Sequence, residues 1–79
     1  MIRVYVKTGF CAPCIATKRA MDGLGIVYEP VPLETVPPEQ IREWQTAGHM
    51  EAPIVDTGAE TWSGYRPDRI KNLVKEEAA

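Results

Sequence analysis

Ile2-Arg3-Val4-Tyr5-Val6-Lys7, then Thr8-Gly9-Phe10, then Cys11-Ala12-Pro13-Cys14: the reading of residues 2–14 decides how the chain folds. Ile2, Val4 and Val6 alternate with Arg3, Tyr5 and Lys7, so residues 2–7 predict a strand with two different faces. Tyr5 and the long stems of Arg3 and Lys7 make the second face semi-apolar, as a central strand needs. Thr8-Gly9-Phe10 breaks the alternation. From Cys14 to Leu24 the period becomes helical, and Ala16, Thr17, Ala20, Met21 and Leu24 share one face. A C-x-x-C in the turn between a strand and a helix reads as a dithiol redox site.

Outward from that unit, Gly23 and Gly25 end the helix, and either can take a left-handed cap. Val27 to Pro32 predicts a second strand. Pro30 and Pro32 each remove a ladder donor, which places it at a sheet edge. A single helix between the two strands makes them parallel, with a right-handed crossover. Leu33 to Val36 is a connection. Pro37-Pro38 opens a second helix, with Glu39 near its positive end and Ile41, Trp44 and Gln45 as the inner stripe, and Gly48 stops it. Ala52 to Asp56 and Glu60 to Trp62 predict an antiparallel hairpin turning at Thr57-Gly58. Pro67 starts a last helix that buries Ile70, Leu73 and Val74, with residues 76–79 fraying. The order is βαβαββα: an α/β domain over residues 1–79, a mixed four-stranded sheet flanked by three helices.

The bulk composition narrows function. Seventy-nine residues with a formal charge of −2 suit a small globule, and the longest basic cluster is Lys18-Arg19. That excludes a nucleic-acid surface. No apolar run reaches membrane-spanning length, and the N-terminus lacks a signal-peptide pattern, so a cytoplasmic protein is expected. In that compartment a close cysteine pair is more often catalytic or metal-binding than structural.

Dithiol exchange needs an ionised first sulfur. Cys11, at the mouth of the helix, would gain from unpaired backbone donors and the helix dipole, so it is the expected nucleophile. Cys14, one turn deeper, then attacks the mixed disulfide and releases the reduced product. Lys7 adds positive potential, Pro13 stiffens the loop, and Ala12 leaves the sulfur accessible. Phe10 and Ile15 flank the pair, either as an apolar docking rim or as packing against the loop. Zinc wants four ligands, but the chain has one histidine, His49, and no third cysteine. A non-catalytic metal-binding or scaffold domain is the alternative from a different class, and a purely structural disulfide would close only a tiny loop. His49 reads as a surface or helix-capping residue. Pro53 is trans by default, and a cis bond after Ala52 is the alternative. Trp62-Ser63-Gly64-Tyr65 reads either as core plus turn or as an aromatic contact surface.

Taken with Ala16-Thr17-Lys18-Arg19-Ala20-Met21, Ala52-Pro53-Ile54-Val55 and Trp62-Ser63-Gly64-Tyr65-Arg66-Pro67-Asp68, the C-x-x-C resembles that of an NrdH-redoxin. These are small glutaredoxin-like members of the thioredoxin superfamily. The last segment is close to the family signature W-S-G-F-R-P-[DE], and the likeness runs from residue 2 to about residue 74. It implies a thioredoxin fold, with Cys11 as nucleophile, Cys14 as resolving thiol and Pro53 as a cis-proline facing them. It implies a redox carrier with protein disulfide reductase activity and no bound cofactor. NADPH would supply electrons through the flavoenzyme thioredoxin reductase, and class Ib ribonucleotide reductase would receive them at its large subunit. A general thioredoxin-like disulfide reductase is the alternative in the same class. Phe10, Ala12, Ile15, Ala52, Trp62, Ser63, Gly64, Tyr65, Arg66 and Asp68 form the expected partner surface, with Arg66 and Asp68 expected to pair. Trp62 to Tyr65 stands where glutaredoxins carry a glutathione-holding glycine pair and aspartate, so glutathione binding should be weak or absent. A monomer is expected. The chain departs from the family at Pro13, where a polar residue, often glutamine, is usual; Cys-Ala-Pro-Cys is nearer to the thioredoxin loop.

Overall fold

The structure is a computed structural model that describes residues 1–78, with side chains described through 74. The elements are β1 (Ile2–Val6), α1 (Ala12–Gly23), β2 (Tyr28–Pro32), a single 3₁₀ turn (Leu33–Thr35), α2 (Pro38–Thr46), β3 (Ile54–Asp56), β4 (Thr61–Ser63) and α3 (Pro67–Ala78). The four strands form one mixed sheet in the order β2-β1-β3-β4. β1 pairs parallel with β2 and antiparallel with β3, which pairs antiparallel with β4. The proline-bearing β2 lies at an edge, where a strand is paired on one side only and missing donors are tolerated.

Register sorts the two faces. Val4 sits opposite Val55, and Val55 opposite Trp62, so all three project to one side. They form the core with Met21 and Ile26 and with Ile70 and Leu73 of α3. Tyr5, one residue on, points the other way and meets Trp44 of α2, ring centroids 4.7 Å apart. Hence α1 and α3 cover one face and α2 the other, a two-sided burial that needs the semi-apolar second face of β1.

Both of the first two helices end alike. Gly25, at φ 72°, lets Ile26 N–H donate to the Met21 carbonyl and Gly25 N–H to that of Asp22. Gly48, at φ 98°, does the same for His49 and Trp44, with its own N–H on Gln45. These are Schellman caps, and the first brings Ile26 back onto Met21 in the core. Of the two glycines offered for α1's end, Gly25 therefore holds the left-handed position. Leu24, expected to face inward, is the C-cap residue and is exposed; the reversing chain hands its core place to Ile26. Gln45 is likewise exposed, because Trp44 and Ile41 fill α2's inner stripe.

Several boundaries shift. α1 starts at Ala12 rather than Cys14, since Pro13 fits a first helical turn. β1 stops at Val6, β2 starts at Tyr28, and β4 runs Thr61–Ser63. β3 excludes Ala52 and Pro53, which form its approach. The hairpin is closed by Thr57, whose hydroxyl accepts from the Ala59 and Glu60 amides, and by Asp56, which accepts from Gly58 N–H. α3 is helical to Ala78; the side chains of 75–78 and all of Ala79, where fraying was expected, lie outside the described residues. No helix among the described residues is long and apolar enough to cross a membrane.

Candidate active site

β1, an inner strand, ends and α1 begins at one end of the sheet, and the cysteines sit in that turn. Gly9, at φ 86°, reverses the chain, and Cys11 takes an extended conformation as the N-cap of α1. Its sulfur occupies the position a serine or aspartate oxygen takes in an ordinary cap: Cys14 N–H donates to Cys11 Sγ at 3.3 Å. A negative sulfur there would meet that amide and the positive end of the helix together. Cys11 and Cys14 are joined as a disulfide, their Cα atoms 5.3 Å apart. Cys11 keeps 9% of its surface and Cys14 3%. Cys11 is thus the more accessible of the two and lines the cleft, and Cys14 lies deeper.

The disulfide opens onto a shallow cleft of about 410 Å³. Lys7 and Phe10 wall it on the β1 side, and Ala12 and Pro13 form the helix side. Met50, Glu51 and Ala52 close it opposite. The Ala52–Pro53 bond is cis, as the resemblance implied. Pro53 itself is buried, and the half-buried Ala52 is the residue of that pair that lines the cleft wall. Lys7, Met50, Glu51 and Ala52 also line a second hollow that reaches Ile41 and His49, making one groove from the disulfide to α2.

Phe10 is 81% exposed and Ile15 38% exposed, so neither is packed away against the loop. The expected partner loop divides. Trp62 is a core residue at 2% exposure, because its place opposite Val55 turns it inward; Tyr65 is exposed and lines a separate hollow with Gly23 and Leu24. Gly64 N–H donates to the Pro53 carbonyl at 2.8 Å, tying this loop to the cis-proline. Gly64 has φ 77°, and a Cβ there would lie 2.9 Å from Glu51 Oε1. Ser63 Oγ lies 3.2 Å from His49 Nδ1, so His49 links the end of α2 to β4. Among the described residues no cluster of His, Cys, Asp or Glu has metal-binding geometry.

Arg66 and Asp68 pair at 3.3 Å, in solvent. The Arg66 guanidinium holds the Asp68 carboxyl below the usual carboxylate range. The cation over Trp62 is a different arginine: Arg69 of α3 lies 5.9 Å from the ring centroid and donates to Glu60 at 2.8 Å. Sequence reading also missed Met50 and Glu51. Their one local sign is position, immediately before Ala52-Pro53; the cleft that joins them to Cys11 exists only in the tertiary structure.

Comparison with known proteins agrees with this geometry. The chain is 38% identical over 72 residues to the glutaredoxin-like protein NrdH of Escherichia coli strain K12, spanning 91% of this chain and 86% of that one. The glutaredoxin-like protein NrdH of Salmonella typhimurium matches with the same identity and coverage. Among solved structures, the glutaredoxin-like protein NrdH-redoxin from Escherichia coli, described for its thioredoxin-like activity profile, superposes with a TM-score of 0.77 at 38% identity. That match covers 91% of this chain and 92% of the other. A glutaredoxin from Archaeoglobus fulgidus, at TM-score 0.68 and 19% identity over 92% of this chain and 84% of its own, shares the fold alone. No family model matches the chain.

Proposed function

The chain belongs to the family of glutaredoxin-like NrdH proteins, and on that premise we propose that it carries electrons as a dithiol to class Ib ribonucleotide reductase. The observation that carries the reading is the disulfide between a helix-capping, cleft-facing Cys11 and a buried Cys14. In the dithiol form the Cys11 thiolate attacks a partner disulfide. One partner sulfur leaves as thiolate, and Cys11 holds the other in a mixed disulfide. Cys14 gives up its proton and attacks Cys11 Sγ, the Cys11–partner bond breaks, and the second partner sulfur leaves. The partner gains two electrons and this protein becomes the internal disulfide. Thioredoxin reductase, fed by NADPH, returns it to the dithiol, so the protein itself needs no bound cofactor.

Cys11 attacks, Cys14 resolves, and Ala52, ahead of the cis-proline, offers backbone to the docking chain, with Phe10, Ile15 and Tyr65 as its apolar contacts. Lys7 raises the potential beside the thiolate. The carrier works as a monomer in the cytoplasm. Glutathione binds weakly or not at all, and isothermal titration showing tight binding would contradict that.

The test is NADPH consumption by thioredoxin reductase, this protein and oxidised class Ib ribonucleotide reductase together. Consumption that needs all three supports the assignment. Reduction of insulin disulfides without reduction of the ribonucleotide enzyme would favour a general disulfide reductase, the role to which the Ala12-Pro13 loop inclines.

A further inference from the structure

Thiol exchange as described leaves unused three buried side-chain polar atoms that, among the described residues, have no hydrogen-bond partner: Thr17 Oγ1, Trp62 Nε1 and Arg69 Nε. Among the described residues Thr17 is the buried polar side chain, at 0% exposure, and its Oγ1 has no hydrogen-bond partner. Helical threonines commonly return the hydroxyl to the carbonyl four residues back. Thr46 of α2 does so, donating to the Arg42 carbonyl at 2.9 Å. Thr17 leaves that bond unmade in a place where valine would fill the same volume without an unpaired polar atom. It follows Cys14 by one helical turn, and Cys14, Thr17 and Met21 make up the buried stripe of α1. Side chains three residues apart on a helix are neighbours.

We propose that Thr17 is a positioning residue for the second half of the exchange, its hydroxyl donating to the Cys14 sulfur when that sulfur is a thiolate. In the disulfide Cys14 carries no charge and the hydroxyl is idle. Once Cys11 holds a partner, Cys14 releases its proton to solvent and attacks Cys11 Sγ as a thiolate. The bond between Cys11 and the partner breaks, and the partner sulfur leaves with the electron pair. An apolar interior disfavours that thiolate. The charged groups Lys7 and Glu51 line the cleft onto which Cys11 opens and Cys14 does not. On α1, Arg19 and Asp22 are exposed and Lys18 is half-buried, all off the buried stripe. A hydroxyl one turn deeper supplies a donor from within.

The inference rests on Cys14 being the resolving thiol, so two measurements are kept separate. In a Cys11→Ser background, the pH dependence of iodoacetamide alkylation reads the ionisation of Cys14 with no partner present. Thr17→Val lowers the ionised fraction at a fixed pH about tenfold, the scale of one hydrogen bond to a charged group. Thr17→Ser keeps the parent value. If Thr17→Val folds poorly, Thr17→Ser and Thr17→Ala carry the test: both lose the methyl and they differ only in the hydroxyl, so the drop appears in alanine alone. Coincident profiles for parent, serine and alanine overturn the proposal. Trapping of a mixed disulfide by Cys14→Ser reports on the resolving role itself and is independent of Thr17.

Discussion

At the scale of single residues, the two sulfurs have unequal surroundings and so unequal fates on mutation. Cys11→Ser should reduce turnover with any partner to background, because only Cys11 combines access with the helix amide. Cys14→Ser should still form the mixed disulfide and hold it, visible as a partner adduct on non-reducing gels. Equal loss of the adduct in both variants would refute the assignment. Both positions were legible in the spacing, since a C-x-x-C after a strand puts one sulfur at the cap and the other a turn inside. Met50 and Glu51 were not, because nothing local distinguishes a residue that reaches the cleft from across the sheet. Tyr28 gives a pH test. Partial burial, and then the Asp22 carboxylate, push its hydroxyl above the ordinary tyrosine value. The fold thus favours the neutral phenol. Its contribution to stability is full below about pH 10 and is lost as pH rises through the higher folded value. Thermal melts between neutral and strongly alkaline pH should show a decline that Tyr28→Phe reduces.

At the scale of elements, the chain reversals set the site. The glycines of the caps were visible as stops, but which of Gly23 and Gly25 turns left-handed depends on where the next strand must go. Ile26 has to return to Met21, and only a reversal at Gly25 brings it there. Leu24 was misplaced for the same reason: helical periodicity was carried one residue past the point where the cap breaks it. Two glycines separate backbone cost from side-chain cost. A Cβ on Gly25 meets nothing within 4 Å, so Gly25→Ala should lose only the left-handed penalty of about 1–2 kcal/mol. Gly64→Ala pays a similar penalty and also drives a methyl against the Glu51 carboxylate. It should therefore be only slightly the more destabilising in urea unfolding, since the exposed Glu51 side chain can swing aside, and a Glu51→Ala background should remove the excess. If Glu51→Ala leaves the difference intact, the contact is not its source.

At the scale of the molecule, an electron carrier has to keep one fold in two covalent states. The edge place of β2 and its parallel pairing with β1 were legible, because two prolines allow β2 nowhere but an edge and a lone helix between strands forces a parallel pair; the β1–β3 pairing that completes the sheet order was not. The sides of the sheet followed from alternation, with Trp62 left undecided until its register with Val55 was known. What holds this fold is the contact of Val4, Val55 and Trp62 with α1 and α3, not the disulfide. The Cys11–Cys14 bond spans a sequence separation of 3, so it restricts the unfolded chain little; loop-closure entropy gives about 2 kcal/mol at most. Reduction should leave the far-ultraviolet circular dichroism unchanged and lower the melting temperature by no more than about 15 °C, taking the usual 4–8 °C per kcal/mol for a domain of this size. Val55 is the opposite case. It is fully buried at the centre of the sheet, and Val55→Ala removes two methyl groups from a packed interior, a loss of about 2–3 kcal/mol. Because Val55 belongs to the core cluster and is not among the residues that line the redox cleft, the two effects should add. Val55→Ala should then lower the stability of the disulfide and dithiol forms equally and leave their redox equilibrium with dithiothreitol unmoved. A shift in that equilibrium would mean that core packing and sulfur chemistry are coupled through the sheet, and that the site is not held independently of the body that carries it.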